Sequence, residues 1–280
     1  MTLKLTGLNV HPVKSTAIRP VESAEVLLRG LADDRSWIVV DPDGVMVSAR
    51  QVHDLFAIVA DTPATDPSVS GALRLTAPGM PTLSLDQPSG PLVPVRLFSQ
   101  DLYGIATDAS VGEWLSTTLG RPGLRLLWCD DPSRRRLNPA YSSPGDHTAY
   151  ADGYPVTLAS EASLRQLNDW ILEGALERGE EPPEPLPVQR FRPSLVIDGE
   201  EPFVEDHWSY VDIAGVRFRM AMPTGRCVVT TLDIGSLRTG KEPIRTLARH
   251  RRSGSDTLFA VNLIPEGTGT IRVGDELSVG

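Results

Sequence analysis

The sequence holds two cysteines, and the second stands in Thr224-Gly225-Arg226-Cys227, between a glycine-bearing loop and the apolar pair Val228-Val229. A guanidinium beside a thiol favours the thiolate, the form that attacks electrophiles and binds metals. The plainer reading of a lone cysteine is a small buried hydrophobe, and it suits Cys129, after Leu126-Leu127-Trp128. The five histidines (His11, His53, His147, His207, His250) show no HExxH spacing and the cysteines no CxxC, so zinc chemistry has little support. No GxSxG, GxGxxG or Walker loop occurs. What remains is one thiol and scattered cations: Lys14-Ser15 after Pro12-Val13, Arg35 after Asp33-Asp34, and Arg192 in Phe191-Arg192-Pro193. Arginine forks and a lysine suit a phosphorylated, acceptor-rich ligand, although each taken singly reads as a surface charge or an ion pair.

These residues need elements to position them. Leu3, Leu5 and Gly7, followed by Val10 and Val13, predict a strand that runs into a loop at His11-Pro12-Val13-Lys14-Ser15. Trp37-Ile38-Val39-Val40, the turn Asp41-Pro42-Asp43-Gly44 and Val45-Met46-Val47 predict a hairpin. Further short strands are expected at 56–60, 73–76, 83–85, 93–98, 195–197, 211–213, 216–220, 228–230, 260–264 and 270–273, a spacing that favours a barrel or sandwich. One helix is expected behind the capping box Ser110 to Glu113, stopped by Gly120 and Pro122. A second is capped by Ser160, with Glu161 in its first turn, and ends near Gly179; a third, shorter one starts at Pro243. Segment 130–146 has turn composition and 180–187 reads as a loop. The fold class is therefore mainly β with peripheral helices, with a boundary expected behind the first helix: domains 1–122 and 123–280.

Bulk properties limit the partners. A net charge of −9 over 280 residues repels nucleic acid and anionic membranes. Runs such as Arg134-Arg135-Arg136 and the arginines of 245–252 read as solvated surface. Two cysteines make no disulfide framework, Met1 to Val10 lack a basic and apolar leader, and no apolar run reaches ~20 residues, so a cytoplasmic protein without membrane spans is expected.

Taken in order, several short motifs together resemble the MOSC-domain molybdenum-cofactor proteins, in the branch of the amidoxime-reducing components and bacterial hydroxylaminopurine reductases. They are Pro12-Val13-Lys14-Ser15, Asp34-Arg35 with Trp37, Ser48-Ala49-Arg50-Gln51 and Tyr150-Ala151-Asp152-Gly153-Tyr154-Pro155. They continue with Ser160-Glu161-Ala162-Ser163-Leu164, Phe191-Arg192-Pro193, Arg226-Cys227 with Thr230-Thr231, and Gly269-Thr270-Ile271-Arg272-Val273-Gly274-Asp275. Each is weak alone, and the ordered set spans nearly the whole chain.

The resemblance implies an N-terminal β-barrel domain ahead of a β-barrel MOSC domain, with the molybdenum cofactor lying between them. It implies Cys227 as molybdenum ligand, a soft thiolate for a thiophilic metal. Lys14, Ser15, Arg35, Arg192 and Arg226 would hold the pterin and its phosphate, and Asp152, Gly153 and Tyr154 would border the same cleft. Two departures from the family stand out: Ser194 where relatives usually carry asparagine, and Gly225 where they carry serine. Asn262 occupies a position that some relatives fill with tyrosine. The implied reaction removes oxygen from N-hydroxylated or N-oxide small molecules. Asp233 is a candidate proton relay, its alternative being a surface carboxylate. Some bacterial relatives append a four-cysteine ferredoxin domain; here electrons are expected from a separate ferredoxin, flavoprotein or cytochrome-type protein. Two other readings are a cofactor carrier and a persulfide-based sulfur transferase, the latter lacking the pyridoxal-phosphate domain of cofactor sulfurases.

Overall fold

The computed structural model describes residues 2–280; Met1, the start of the expected leaderless terminus, lies outside the described residues. Grouped by contact, the chain forms two compact units. One comprises the first strand as far as Asn9, residues 22–27 and residues 156–280; the other comprises residues 10–21 and 28–155. A single cut after residue 122 does not describe this division. Strand Leu3–Val10 pairs antiparallel with Leu195–Ile197 and Glu276–Val279, so it is built into the C-terminal unit. Strand Arg125–Trp128, beyond that cut, pairs with Trp37–Val40 and Gln100–Ala106.

The first unit is a closed barrel of seven strands. In ring order they are Val156–Ser160, Leu195–Ile197, Leu3–Val10, Glu276–Val279, Tyr210–Ile213, Val216–Gly225 and Asp256–Pro265, the last pairing back to the first. The pairing of Val156–Ser160 with Leu195–Ile197 is parallel, and the helix α1 (Glu161–Glu177) makes the crossover such a pair requires. Alternation fixes which faces are buried: in Tyr210–Ile213, Val211 and Ile213 are buried and Tyr210 and Asp212 half-buried. Ser160 caps α1 by accepting from the Ala162 amide at 3.2 Å, a contact worth about 1 kcal/mol. Leu167 and Ile171 of α1, Leu247 of the short helix Ile244–His250, and Phe191 and Phe259 form one buried cluster on the barrel wall.

The second unit carries a sheet ordered Trp37–Val40, Arg125–Trp128, Gln100–Ala106, Leu92–Leu97 and another ordered Val59–Asp61, Leu73–Thr76, Leu83–Leu85. Helix Ala109–Leu119 packs its Val111, Trp114 and Leu115 into a core with Val39, Leu55, Ile58, Leu73 and Leu126. Strand Gln100–Ala106 admits only glycine at position 104. A Cβ there would stand 2.4 Å from Tyr150 Oη and 2.9 Å from the Trp128 carbonyl oxygen.

The mainly-β class with three peripheral helices matches expectation, and several local elements differ. Helix Ala109–Leu119 is preceded by Asp108, and no side-chain cap bond forms, so the Ser110 to Glu113 box is not used; Gly120 does close it in the left-handed region. Residues 53–57 form a 3-10 turn ahead of Val59–Asp61, instead of a strand from 56. The arm after the Asp41–Gly44 turn makes two isolated bridges, Met46 to Val40 and Val45 to Arg96, and no strand. Residues 228–231 are a 3-10 turn instead of a strand. Among the described residues, no helix is long and apolar enough to cross a membrane.

Candidate functional site

In the unit that holds residues 28–155, the loops after Val10 and before Trp37 are bound together through one carboxylate. Asp34 accepts from the His11 amide at 2.7 Å, lies 3.1 Å from His11 Nδ1, and pairs with the Arg35 guanidinium. Burial alone would raise the Asp34 pKa, but the Arg35 charge and the His11 contacts overcome it and set the carboxyl at about 2. The Arg35 amide donates to the His11 carbonyl at 2.7 Å, and the Arg35 carbonyl accepts from the Tyr150 amide at 3.0 Å. Arg35 and Ser15 both sit in the left-handed region, with φ 46° and 69°, conformations kept only where surrounding contacts over-determine them.

Lys14 is buried. Its ammonium donates to the Tyr150 carbonyl at 2.8 Å and pairs with the Asp152 carboxylate. Burial pulls the Lys14 pKa below the usual lysine value, Asp152 opposes that shift, and Arg135 and Arg35 add to it. Desolvation would raise the Asp152 pKa, yet Lys14, Arg35 and Arg50 hold it well below the ordinary carboxylate range. The Asp152 side chain is 67% exposed, so this network reaches solvent at its edge. Four cations (Lys14, Arg35, Arg50, Arg135) against two carboxylates (Asp34, Asp152) leave an excess of positive charge in a chain of net charge −9. That surplus suits an anion. Next to it, a Cβ built on Gly153 meets nothing within 4 Å, and the Tyr154 hydroxyl is buried without a partner among the described residues. Open space beside an orphaned donor is what a polar ligand would fill.

The barrel unit carries the other candidates. Cys227 is partly exposed and Cys129 buried, and desolvation raises the Cys129 thiol to about 11. Arg226 donates from Nε to the Phe259 carbonyl at 2.7 Å and from Nη1 to the Phe191 carbonyl at 3.1 Å, and its guanidinium lies 5.5 Å from the Phe191 ring centroid. Those bonds fasten the loop before Cys227 to the turn Val188–Phe191, whose next residue, Arg192, adopts φ 50°. Ser194 is fully buried, its amide donating to the Thr157 carbonyl at 2.8 Å and its carbonyl accepting from the Asn9 amide at 2.9 Å. Asn262 sits opposite Thr157 in the barrel, with a 3.4 Å side-chain contact. At Gly225, a Cβ would come within 3.2 Å of Asp256 Cγ, so the acidic side chain packs directly against this glycine. Asp233 accepts from the Ser236 amide and hydroxyl on Oδ1, at 2.8 and 2.7 Å, and from Arg190 on Oδ2 at 3.2 Å. Those Ser236 bonds lower its pKa first, with Arg190 adding. This is the geometry of a loop anchor, and it lends a proton-relay role no support.

Three residues with a part in this arrangement escaped the sequence reading. Arg50 lies 3.9 Å from Asp152 Oδ2, a partner far along the chain that its own motif does not reveal. Arg135, in a run whose composition predicts solvated surface, is buried and donates to the carbonyls of Ala149, Ala151 and Asp152 and to Gln100 Oε1, so it shapes the Asp152 loop. Phe98 brings its ring centroid within 5.5 Å of Lys14 Nζ and 5.0 Å of the Arg50 guanidinium. Among the described residues, no cluster of three His, Cys, Asp or Glu side chains could cage a metal ion.

Comparison with known proteins gives these residues a context. Residues 2–122 match the MOSC N-terminal beta barrel domain and residues 145–278 the MOSC domain. The chain is 32% identical to mitochondrial amidoxime-reducing component 1 of Xenopus laevis, over 97% of this chain and 80% of that protein. It is 29% identical to the Homo sapiens protein of that name, over 95% and 80%. It is 27% identical to the molybdenum cofactor sulfurase of Solanum lycopersicum, over 98% of this chain but only 35% of that one. The chain therefore belongs to the MOSC-domain family, and its relatives there include the mitochondrial amidoxime-reducing components.

Proposed function

We propose that the protein is a molybdenum-cofactor-dependent reductase of N-hydroxylated or N-oxide small molecules. The observation that carries this reading is the likeness, over nearly the whole chain, to proteins named for amidoxime reduction. The residues fit such a cofactor. Cys227 offers one partly exposed soft sulfur, which suits a thiophilic metal that the cofactor itself would hold. A phosphate needs cations, and Lys14, Ser15, Arg35, Arg192 and Arg226 are its proposed holders, with Asp152, Gly153 and Tyr154 bordering it and Ser194 and Asn262 as secondary contacts. The Lys14 ammonium has three donors, of which Tyr150 and Asp152 take two.

When bound, the cofactor supplies the two-electron redox change that removes oxygen from nitrogen. The chain's own part is positioning. Arg226 fixes the approach to Cys227 through two carbonyls, and Asp233 holds the loop that follows. Asp34 sets the direction of Arg35, and Arg135 shapes the loop that presents Asp152. Reducing equivalents come, in this proposal, from a separate electron-transfer protein.

A second reading, cofactor carriage or persulfide transfer, is kept because the sulfurase of Solanum lycopersicum also matches over this length. Elemental analysis for molybdenum, followed by benzamidoxime turnover with an artificial electron donor, separates the two. Metal together with turnover supports the reductase. Metal without turnover under several donors supports the carrier, and a persulfide on Cys227 without metal supports sulfur transfer.

A further inference from the structure

The barrel unit holds a cavity of about 390 Å3, formed where the loop after strand Leu195–Ile197 meets the start of strand Leu3–Val10 and the turn Val204–His207. Every lining residue belongs to that one unit, and none of the residues proposed above to hold the cofactor is among them. Its volume falls in the range of small-molecule pockets, about 300–1,000 Å3. Ile197, at 1% exposure, and the half-buried Trp208 form an apolar wall. The charged part of the lining has one sign: Asp198, Glu200 and Glu201 contribute, and no lysine, arginine or histidine does. Asp198 Oδ1 accepts from the Lys4 amide at 2.7 Å. Glu200 and Glu201 are exposed and have no hydrogen bond or ion pair among the described residues. Arg165 comes near but donates to the Gly199 carbonyl at 2.7 Å, not to either glutamate. Ser160 brings the N-terminus of α1 to the cavity. That terminus carries about half a positive charge, which Glu161 in the first turn already faces, and three carboxylates outweigh it. Ser160 itself is 2% exposed; its Oγ accepts from the Ala162 amide at 3.2 Å, and its second lone pair has no donor among the described residues. Carboxylates gathered without a cation repel one another, and a positively charged occupant relieves that repulsion.

We propose that this cavity binds a small organic ammonium ion, with its charged head among Asp198, Glu200 and Glu201 and its apolar body against Ile197 and Trp208. One N–H of the head serves the free lone pair of Ser160. A bare metal ion fits less well, because among the described residues no three His, Cys, Asp or Glu side chains stand close enough together to hold one. The carboxylates are instead spread around a space that a larger cation fills. Partly screened ion pairs to two carboxylates give a factor of about 2 to 30 in affinity. An aryl body packed on the Trp208 ring adds a factor of about 2 to 12. The site is independent of the reduction proposed above.

The test is calorimetric titration of the full chain at pH 7 and low salt with benzylammonium and with benzyl alcohol, its neutral counterpart. Benzylammonium should bind one to one and at least about 3-fold tighter than the alcohol, an advantage that high salt removes. The double variant Glu200→Gln/Glu201→Gln should weaken benzylammonium about 2- to 30-fold and leave the alcohol unchanged. Trp208→Leu should weaken both about 2- to 12-fold. As a control, Glu173→Gln/Glu181→Gln removes the same net charge from exposed positions outside the lining and should change nothing. Equal affinity for the ammonium and the alcohol, no binding of benzylammonium, or the same weakening in the control pair would each overturn the proposal. Glu200 and Glu201 are exposed and make no bonds within the fold, so their double variant decides the matter even if Trp208→Leu does not fold. None of these readouts needs molybdenum. A chain without amidoxime turnover that binds benzylammonium as expected therefore refutes the reductase and keeps this cavity, and turnover without such binding does the reverse.

Discussion

Replacing Asp34 with asparagine keeps the shape of the side chain and removes its charge from a buried position between Arg35 and His11. The carboxyl side chain is 3% exposed and has its pKa at about 2 against an ordinary 3.8. At about 1.4 kcal/mol per pH unit, that difference stabilises the fold by roughly 2–3 kcal/mol. The folded value lies below the unfolded one, so the stabilisation is complete well above pH 3.8 and is lost as the pH falls through 3.8 toward 2. Urea unfolding of parent and Asp34→Asn at pH 7 and pH 3 reads this directly. The stability gap between them should be about 2–3 kcal/mol at pH 7 and close to half that at pH 3. A gap of the same size at both pH values would show that the charge on Asp34 is not what binds the two loops, and the account of how Arg35 is aimed would fall with it.

Cys227→Ala should abolish amidoxime turnover while moving Tm by less than about 2 °C, since a partly exposed thiol at a loop contributes little burial; full turnover in the variant would refute the ligand assignment. Lys14→Met should cut molybdenum retention after gel filtration by about 10-fold or more, the loss expected for one charge-assisted hydrogen bond; normal metal content would remove Lys14 from the site. Gly104→Ala should destabilise the protein by about 1–3 kcal/mol, because the new Cβ meets the Trp128 carbonyl as well as the Tyr150 hydroxyl; an unchanged urea midpoint would contradict the packing described for that strand.

The sequence by itself determined the mainly-β class, most strands, the Ser160 cap, the Gly120 stop and the ordered motifs that mark the family, because these depend on side-chain period, turn chemistry and local spacing. The run Val228-Val229-Thr230-Thr231 shows where such reasoning stops. Its β-branched residues read as a strand, yet the Thr230 hydroxyl donates to the Cys227 carbonyl at 3.0 Å and the Thr231 hydroxyl to Val228 at 2.7 Å. Side-chain bonds back to the main chain drew it into a turn. The tertiary structure alone decided that the first strand belongs to the C-terminal barrel, that Arg135 is buried behind the Asp152 loop, and that Phe98, Arg50 and Lys14 converge. In each case the partner lies at least 14 residues along the chain. Pairing at that range is settled by which contacts offset the entropy of closing the loop between them, a quantity that no local pattern of residues records.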